Sequence, residues 1–122
     1  MSDIATTVDT YLAMWNETEE VRRAEHIERA WAADGHYSDP AQEATGHAAL
    51  SEMVAGVHGR FPGQRFRRVS GIDAHHDQVR FAWELGAPGG DVTVAGVDFG
   101  VLAGDGRLQR ISGFFGELPA EG

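Results

Sequence analysis

One stretch constrains the fold more than any other: Asp91 to Ala103, Asp-Val-Thr-Val-Ala-Gly-Val-Asp-Phe-Gly-Val-Leu-Ala, which sets a single acid, Asp98, among apolar and small residues on both sides. Four Val and a Phe, no Pro, and glycine-containing turns at either end predict a long, mostly buried strand. Side chains alternate along a strand, so Asp98 shares a face with Val92, Val94, Gly96, Gly100 and Leu102. An isolated ionised carboxylate among such neighbours is costly. Asp98 is therefore expected to be protonated, held by a structural partner, or wetted from a pocket.

Around this strand the chain divides by period. Ile4, Val8, Tyr11, Leu12 and Trp15 recur at helical spacing, with Ser2 or Asp3 as the cap and an end near Asn16. A second helical pattern places Val21, Ala24, Ile27, Ala30 and Trp31 on one side and Arg22, Arg23, Glu25 and Glu28 on a solvated side, and Gly35 stops it. His36-Tyr37-Ser38-Asp39-Pro40 is a short extended piece, because Pro keeps Asp39 out of helical geometry. After Gly46 a third helix turns Leu50, Met53, Val54 and Val57 inward and closes at Gly59 and the Pro62-Gly63 turn. Residues 64–74, 76–86, 91–103 and 107–117 then read as four strands joined by short loops, so neighbours run antiparallel.

Three helices followed by hairpin strands predict an α+β fold, with helices packed against a curved antiparallel sheet that wraps them as a cone. Long strands curl, and Gly71, Gly96, Gly100, Gly113 and Gly116 are the expected bulges. The interior of the cone suits a small apolar ligand. Asp98 points into it or directly away, and the alternation leaves both open. The 122 residues are expected to form one domain over 1–122, with 119–122 as a frayed tail.

Composition narrows the partners. A net charge of -9 repels phosphate backbones and anionic lipid surfaces, so nucleic acid and membranes are not expected partners. Every basic residue is Arg, which removes Schiff-base lysine chemistry and the lysine of a phosphate-binding loop. Cys is absent, and the N-terminus has neither a basic region nor an apolar run; a cytoplasmic protein without disulfides or thiolate metal sites is expected. His75 and His76 are adjacent on a hairpin tip and project apart, and His36, His47 and His58 do not have metal-ligand spacing. No cofactor and no metal are expected.

The order of elements, with Tyr-Ser-Asp-Pro after the second helix, Gly-Val-Asp-Phe in the third long strand and Gly-Asp-Gly-Arg-Leu before the last, resembles the SnoaL-like superfamily, which also holds nuclear transport factor two and the ketosteroid isomerases. The resemblance runs from Tyr11 to Phe115-Gly116-Glu117 and implies the cystatin-like cone. Three positions resemble ketosteroid isomerase: Tyr11 looks like its oxyanion-hole tyrosine, Asp39 falls where its base lies, and Asp98 falls on its protonated oxyanion-hole acid. The polar Ala41-Gln42-Glu43-Ala44-Thr45 departs from that enzyme's apolar contacts and shapes a different mouth. What the resemblance implies is a cofactor-free isomerase of ketosteroid-isomerase type or a SnoaL-like polyketide-cyclase-like lyase, enolising a small apolar carbonyl compound with Asp39 as base and Tyr11 and Asp98 as donors to the oxygen. Trp15, Trp31, Trp83 and Phe115 are candidate walls of the ligand site, and a homodimer through the sheet is implied. The alternatives are a non-catalytic binder of an apolar metabolite, and an interaction module that dimerises through Val97, Phe99 and Val101.

Overall fold

The structure is a computed structural model and describes residues 4–121. The expected caps Ser2 and Asp3, and the tail residue Gly122, lie outside the described residues. Along the chain run α1 (Ile4–Asn16), α2 (Glu20–Ala30), β1 (Trp31–Asp39), β2 (Gln42–Thr45), α3 (His47–Arg60), β3 (Arg65–Arg68), β4 (Asp73–His75), β5 (Gln78–Gly86), β6 (Val92–Leu102) and β7 (Leu108–Phe115).

Helix α1 buries Val8, Tyr11, Met14 and Trp15, the stripe its period predicts. Helix α2 differs from expectation. Its buried side is Arg23, Ile27 and Ala30, while Val21 is 65% exposed. Arg23 can face inward because its charge is satisfied there: Nε donates to Ser51 Oγ at 2.9 Å and Nη1 to the Glu17 carbonyl at 3.0 Å. The helix ends at Ala30 rather than Gly35, and Trp31 opens β1 in extended geometry. Gly35 has another use, since a Cβ there would overlap the Trp31 ring.

The strands form one curved, unclosed sheet in the order β2-β1-β7-β6-β5-β3, with β4 also paired to β5. Every neighbouring pair is antiparallel except β1 and β7, which run parallel. Most of the chain separates those two, so no hairpin dictates their relative direction. The strand expected over 64–74 is broken into β3 and β4. Across the break Val69 N–H donates to the Ala82 carbonyl, and Ser70 Oγ accepts the Ala82 N–H in place of a main-chain oxygen. Register shifts fall between Trp31 and His36, at Leu85/Gly86 and at Val101/Leu102, not at the expected glycines.

Helices and inner sheet face enclose a core that includes Met14, Ile27, Trp31, Leu50, Leu108 and Ile111, each 1% exposed or less. Among the described residues no helix is long and apolar enough to cross a membrane.

Candidate active site

The direction of Asp98 is decided by which face of β6 the helices cover. Gly96, Asp98 and Gly100 are buried, whereas Ala95 and Phe99 on the alternate face are exposed. Asp98 therefore points inward and is 3% exposed. Its neighbours leave room for it. Gly113 lies opposite on β7, and Gly96 lies opposite Trp83 on β5, where a Cβ would overlap the indole. Gly96, Gly100 and Gly113, expected to bend the sheet, instead let side chains approach its inner face closely.

Two donors reach the carboxyl. The Tyr11 hydroxyl on α1 donates to Oδ2 at 2.7 Å, and Trp83 Nε1–H donates to Oδ1 at 3.0 Å. Burial raises the acid and wins against both hydrogen bonds, with the Asp39 charge adding to it, so Asp98 is pushed up to about 7. At neutral pH it can give or take a proton. Burial and the neighbouring Asp98 also hold the Tyr11 phenol well above its ordinary value.

Asp39 ends β1, and its carboxylate is tightly held. Oδ1 accepts the N–H groups of Ala41 at 2.7 Å and Gln42 at 3.0 Å, while Oδ2 accepts the Tyr37 hydroxyl at 2.6 Å and Gln42 Nε2–H at 3.3 Å. The loop contacts arise because Pro40 forces a turn directly after Asp39, and an aspartate side chain bonds to the main chain two and three residues on. All four partners are donors. Burial, with the two acids adding to it, drives the Tyr37 phenol far up, so it stays a donor too.

The parallel pairing of β1 with β7, Ser38 beside Ser112, brings Asp39 next to Gly113. A Cβ built on Gly113 would lie 2.9 Å from Asp98 Oδ1, 3.3 Å from Asp39 Cβ and 3.3 Å from the Tyr37 hydroxyl. One Asp98 oxygen, the Asp39 Cβ and the Tyr37 hydroxyl thus crowd the face of Gly113, and only a glycine fits there.

These groups border a cavity of about 140 Å³, with Tyr11, Asp39 and Asp98 in its lining. Trp15, Trp83 and Phe115 also line it. Trp31 does not: it is fully buried in the core, packed beside Tyr11 at 6.0 Å between ring centroids and over Gly35. The reading of Trp31 as a ligand wall is corrected on that ground, because a residue that opens β1 beneath α1 is sealed from the cavity. Arg80 pairs with Asp73 at 2.7 Å on the exposed face. His75 and His76 sit exposed at the tip, and among the described residues no group of three or more His, Asp or Glu is placed to hold a metal.

Three features of the site are not marked in the sequence, Tyr37, Arg60 and the donor role of Trp83, while Gln42 was expected only as part of the polar mouth. Tyr37 was within reach, since it stands two residues before Asp39 and so on the same strand face. Nothing local marks Arg60, which ends α3 and lines the cavity from across the fold.

The model of the SnoaL-like domain matches residues 8–111. A crystal structure from Agrobacterium tumefaciens strain C58, provisionally described as an isomerase of the SnoaL-like family, is 34% identical, with 96% of this chain and 100% of that one covered and a TM-score of 0.88. An NTF2-like protein of unknown function from Exiguobacterium sp. 255-15 is 18% identical over 92% of this chain and 99% of that one, with a TM-score of 0.72. A SnoaL-like protein from Jannaschia sp. CCS1, provisionally described as a polyketide cyclase, is 17% identical over 91% and 85%, with a TM-score of 0.68. The last two show the fold alone. A search of curated proteins finds no match.

Proposed function

The chain belongs to the SnoaL-like domain family, and from that premise we propose that it transfers a proton next to the carbonyl of a small apolar compound. The observation that carries this reading is the meeting of Tyr11, Asp39 and Asp98 in the lining of one largely apolar cavity. Asp39, fixed by four donors, is the base; the Gln42 Nε2 contact at 3.3 Å is the longest, and the one an approaching C–H displaces. Tyr11 and a neutral Asp98 are the donors to the oxygen that gains charge. Such donors contribute roughly 10²–10³ each when they are preorganised in a site that excludes water. A cavity of about 140 Å³ is close to one that encloses a benzene-sized molecule, so a monocyclic carbonyl compound fits.

A second reading comes from the same hydrogen bonds. Both Asp98 oxygens receive a donor, which is the pattern of an ionised carboxylate, so Asp98 itself could take the proton while Tyr11 supports it. The two readings demand opposite protonation states of one group, and a pH profile separates them.

The test is exchange of α-protons of small cyclic ketones in heavy water, followed by proton NMR. Wild type accelerates exchange, and Asp39→Asn lowers the rate by about 10²–10⁴. Equal exchange with and without protein would leave binding without turnover, the alternative in which the cavity holds an apolar metabolite. A homodimer through the outer sheet face, where Phe99 and Phe114 stack, is part of the proposal and follows from the superfamily resemblance.

A further inference from the structure

We infer that the substrate carries a carboxylate which Arg60 holds at the mouth of the cavity while the carbonyl end lies against Tyr11 and Asp98; this rests on the proton-transfer reading above and names its substrate class.

Arg60 is the last residue of α3, where a cation is ordinarily explained by the helix dipole. Here the guanidinium reaches across to β2 instead, and Nη2 donates to Gln42 Oε1 at 3.1 Å. Among the described residues it makes no ion pair and is the one cationic side chain lining the cavity. Arg29, Arg67, Arg68, Arg80 and Arg107 each pair with an acid. Arg22, Arg23, Arg65 and Arg110 make no ion pair among the described residues either, so what sets Arg60 apart is its place in the cavity lining.

Gln42 explains how Arg60 is kept there. Its Nε2 donates to Asp39 and its Oε1 accepts from Arg60, so the amide stands between anion and cation as a spacer. The remaining guanidinium N–H groups form a planar fork, which matches a carboxylate in two parallel hydrogen bonds. Orientation follows from charge. Asp39 repels an anion from the inner wall, and Arg60 attracts it at the rim, so the carbonyl end enters first. Arg60 is exposed, so the bound carboxylate stays partly hydrated and its burial costs little.

Benzoate and benzamide test this, being nearly isosteric planar rings that differ in charge. Trp15 and Trp83 line the cavity, so tryptophan fluorescence reports occupancy. Titrations run at low salt and pH 8, where Asp98 is largely ionised and keeps a carboxylate from the inner wall. Wild type is expected to bind benzoate about five- to tenfold more tightly than benzamide, with the margin shrinking as salt rises. Arg60→Gln should bind both alike, at the benzamide affinity of wild type, and Arg60→Lys should recover part of the preference. Equal binding of the two probes by wild type, or a preference that survives in Arg60→Gln, overturns the inference and leaves the proton-transfer site standing. Failure of both probes to perturb the tryptophans in any of these proteins removes the ligand cavity itself, and the inference with it.

Discussion

Tyr11 and Asp98 stand 87 residues apart in sequence and meet at 2.7 Å, phenol to carboxyl, in a buried position. The hydrogen bond ties α1 to the centre of the sheet. It also leaves Asp98 balanced, because the bond favours the charged form while burial opposes it more strongly.

Stability should fall as pH rises through the window set by Asp98. The acid sits at about 7 when folded and at 3.8 ordinarily, so between these values the native state holds a proton that the unfolded chain releases. This group therefore withdraws up to about 4 kcal/mol between pH 4 and pH 8. Asp98→Asn has no such proton to lose. Urea unfolding at several pH values should show a pH-dependent gap, near zero at pH 4 and favouring Asp98→Asn at pH 8. Parallel curves would contradict the raised acid.

Activity should decline above about pH 7, where Asp98 loses the proton it needs as a donor. The descending limb should approach about tenfold per pH unit. A rate that climbs through the same region instead assigns the base to Asp98. Trp83→Phe removes one hydrogen bond that lowers the acid, so the inflection should move up. An unmoved inflection would mean that another group controls the profile.

Gly113→Ala should block the site without unfolding the protein. Its methyl would stand 2.9 Å from Asp98 Oδ1 and 3.3 Å from Asp39 Cβ, tighter than ordinary packing, at an expected cost of about 1–3 kcal/mol. Exchange activity should fall by about 10² as the reacting groups are displaced. Gly56→Ala is the control. It lies within α3 with nothing near its missing Cβ, so it should gain about 0.5–1 kcal/mol and keep full activity. Thermal melts and rates of the two variants check both statements.

The outer face should hold a second copy of the chain. Phe99 and Phe114 are 44% and 58% exposed and stack edge to face there, with ring centroids 6.0 Å apart. Light scattering at micromolar concentration should give a dimer for wild type and a monomer for Phe114→Asp. A monomeric wild type would remove the dimer from the proposal.

Much of this molecule was legible along the chain because its local signals agree. The stripe Val8, Tyr11 and Trp15 could only be a helix burying one side, and the alternation of Val79, Phe81, Trp83 and Leu85 could only be a half-buried strand. The α+β order, the anomaly of Asp98 and the resemblance carried by Tyr11, Asp39 and Asp98 all follow from such short-range patterns. Arg23 and Val21 exchanged their expected sides because a buried charge is tolerated once Ser51 and the Glu17 carbonyl satisfy it, and neither partner is visible from α2.

Period determines which residues share a face, and that much the sequence decided for Asp98. Which face turns inward depends on where α1 and α3 pack, and only the tertiary structure settles that. The same holds for the parallel pairing that sets Asp39 beside Gly113, for the sealing of Trp31 under α1, and for Arg60 facing Gln42. Each is a contact between elements far apart in the chain, and a local pattern of polar and apolar residues carries no information about the partner on the other side.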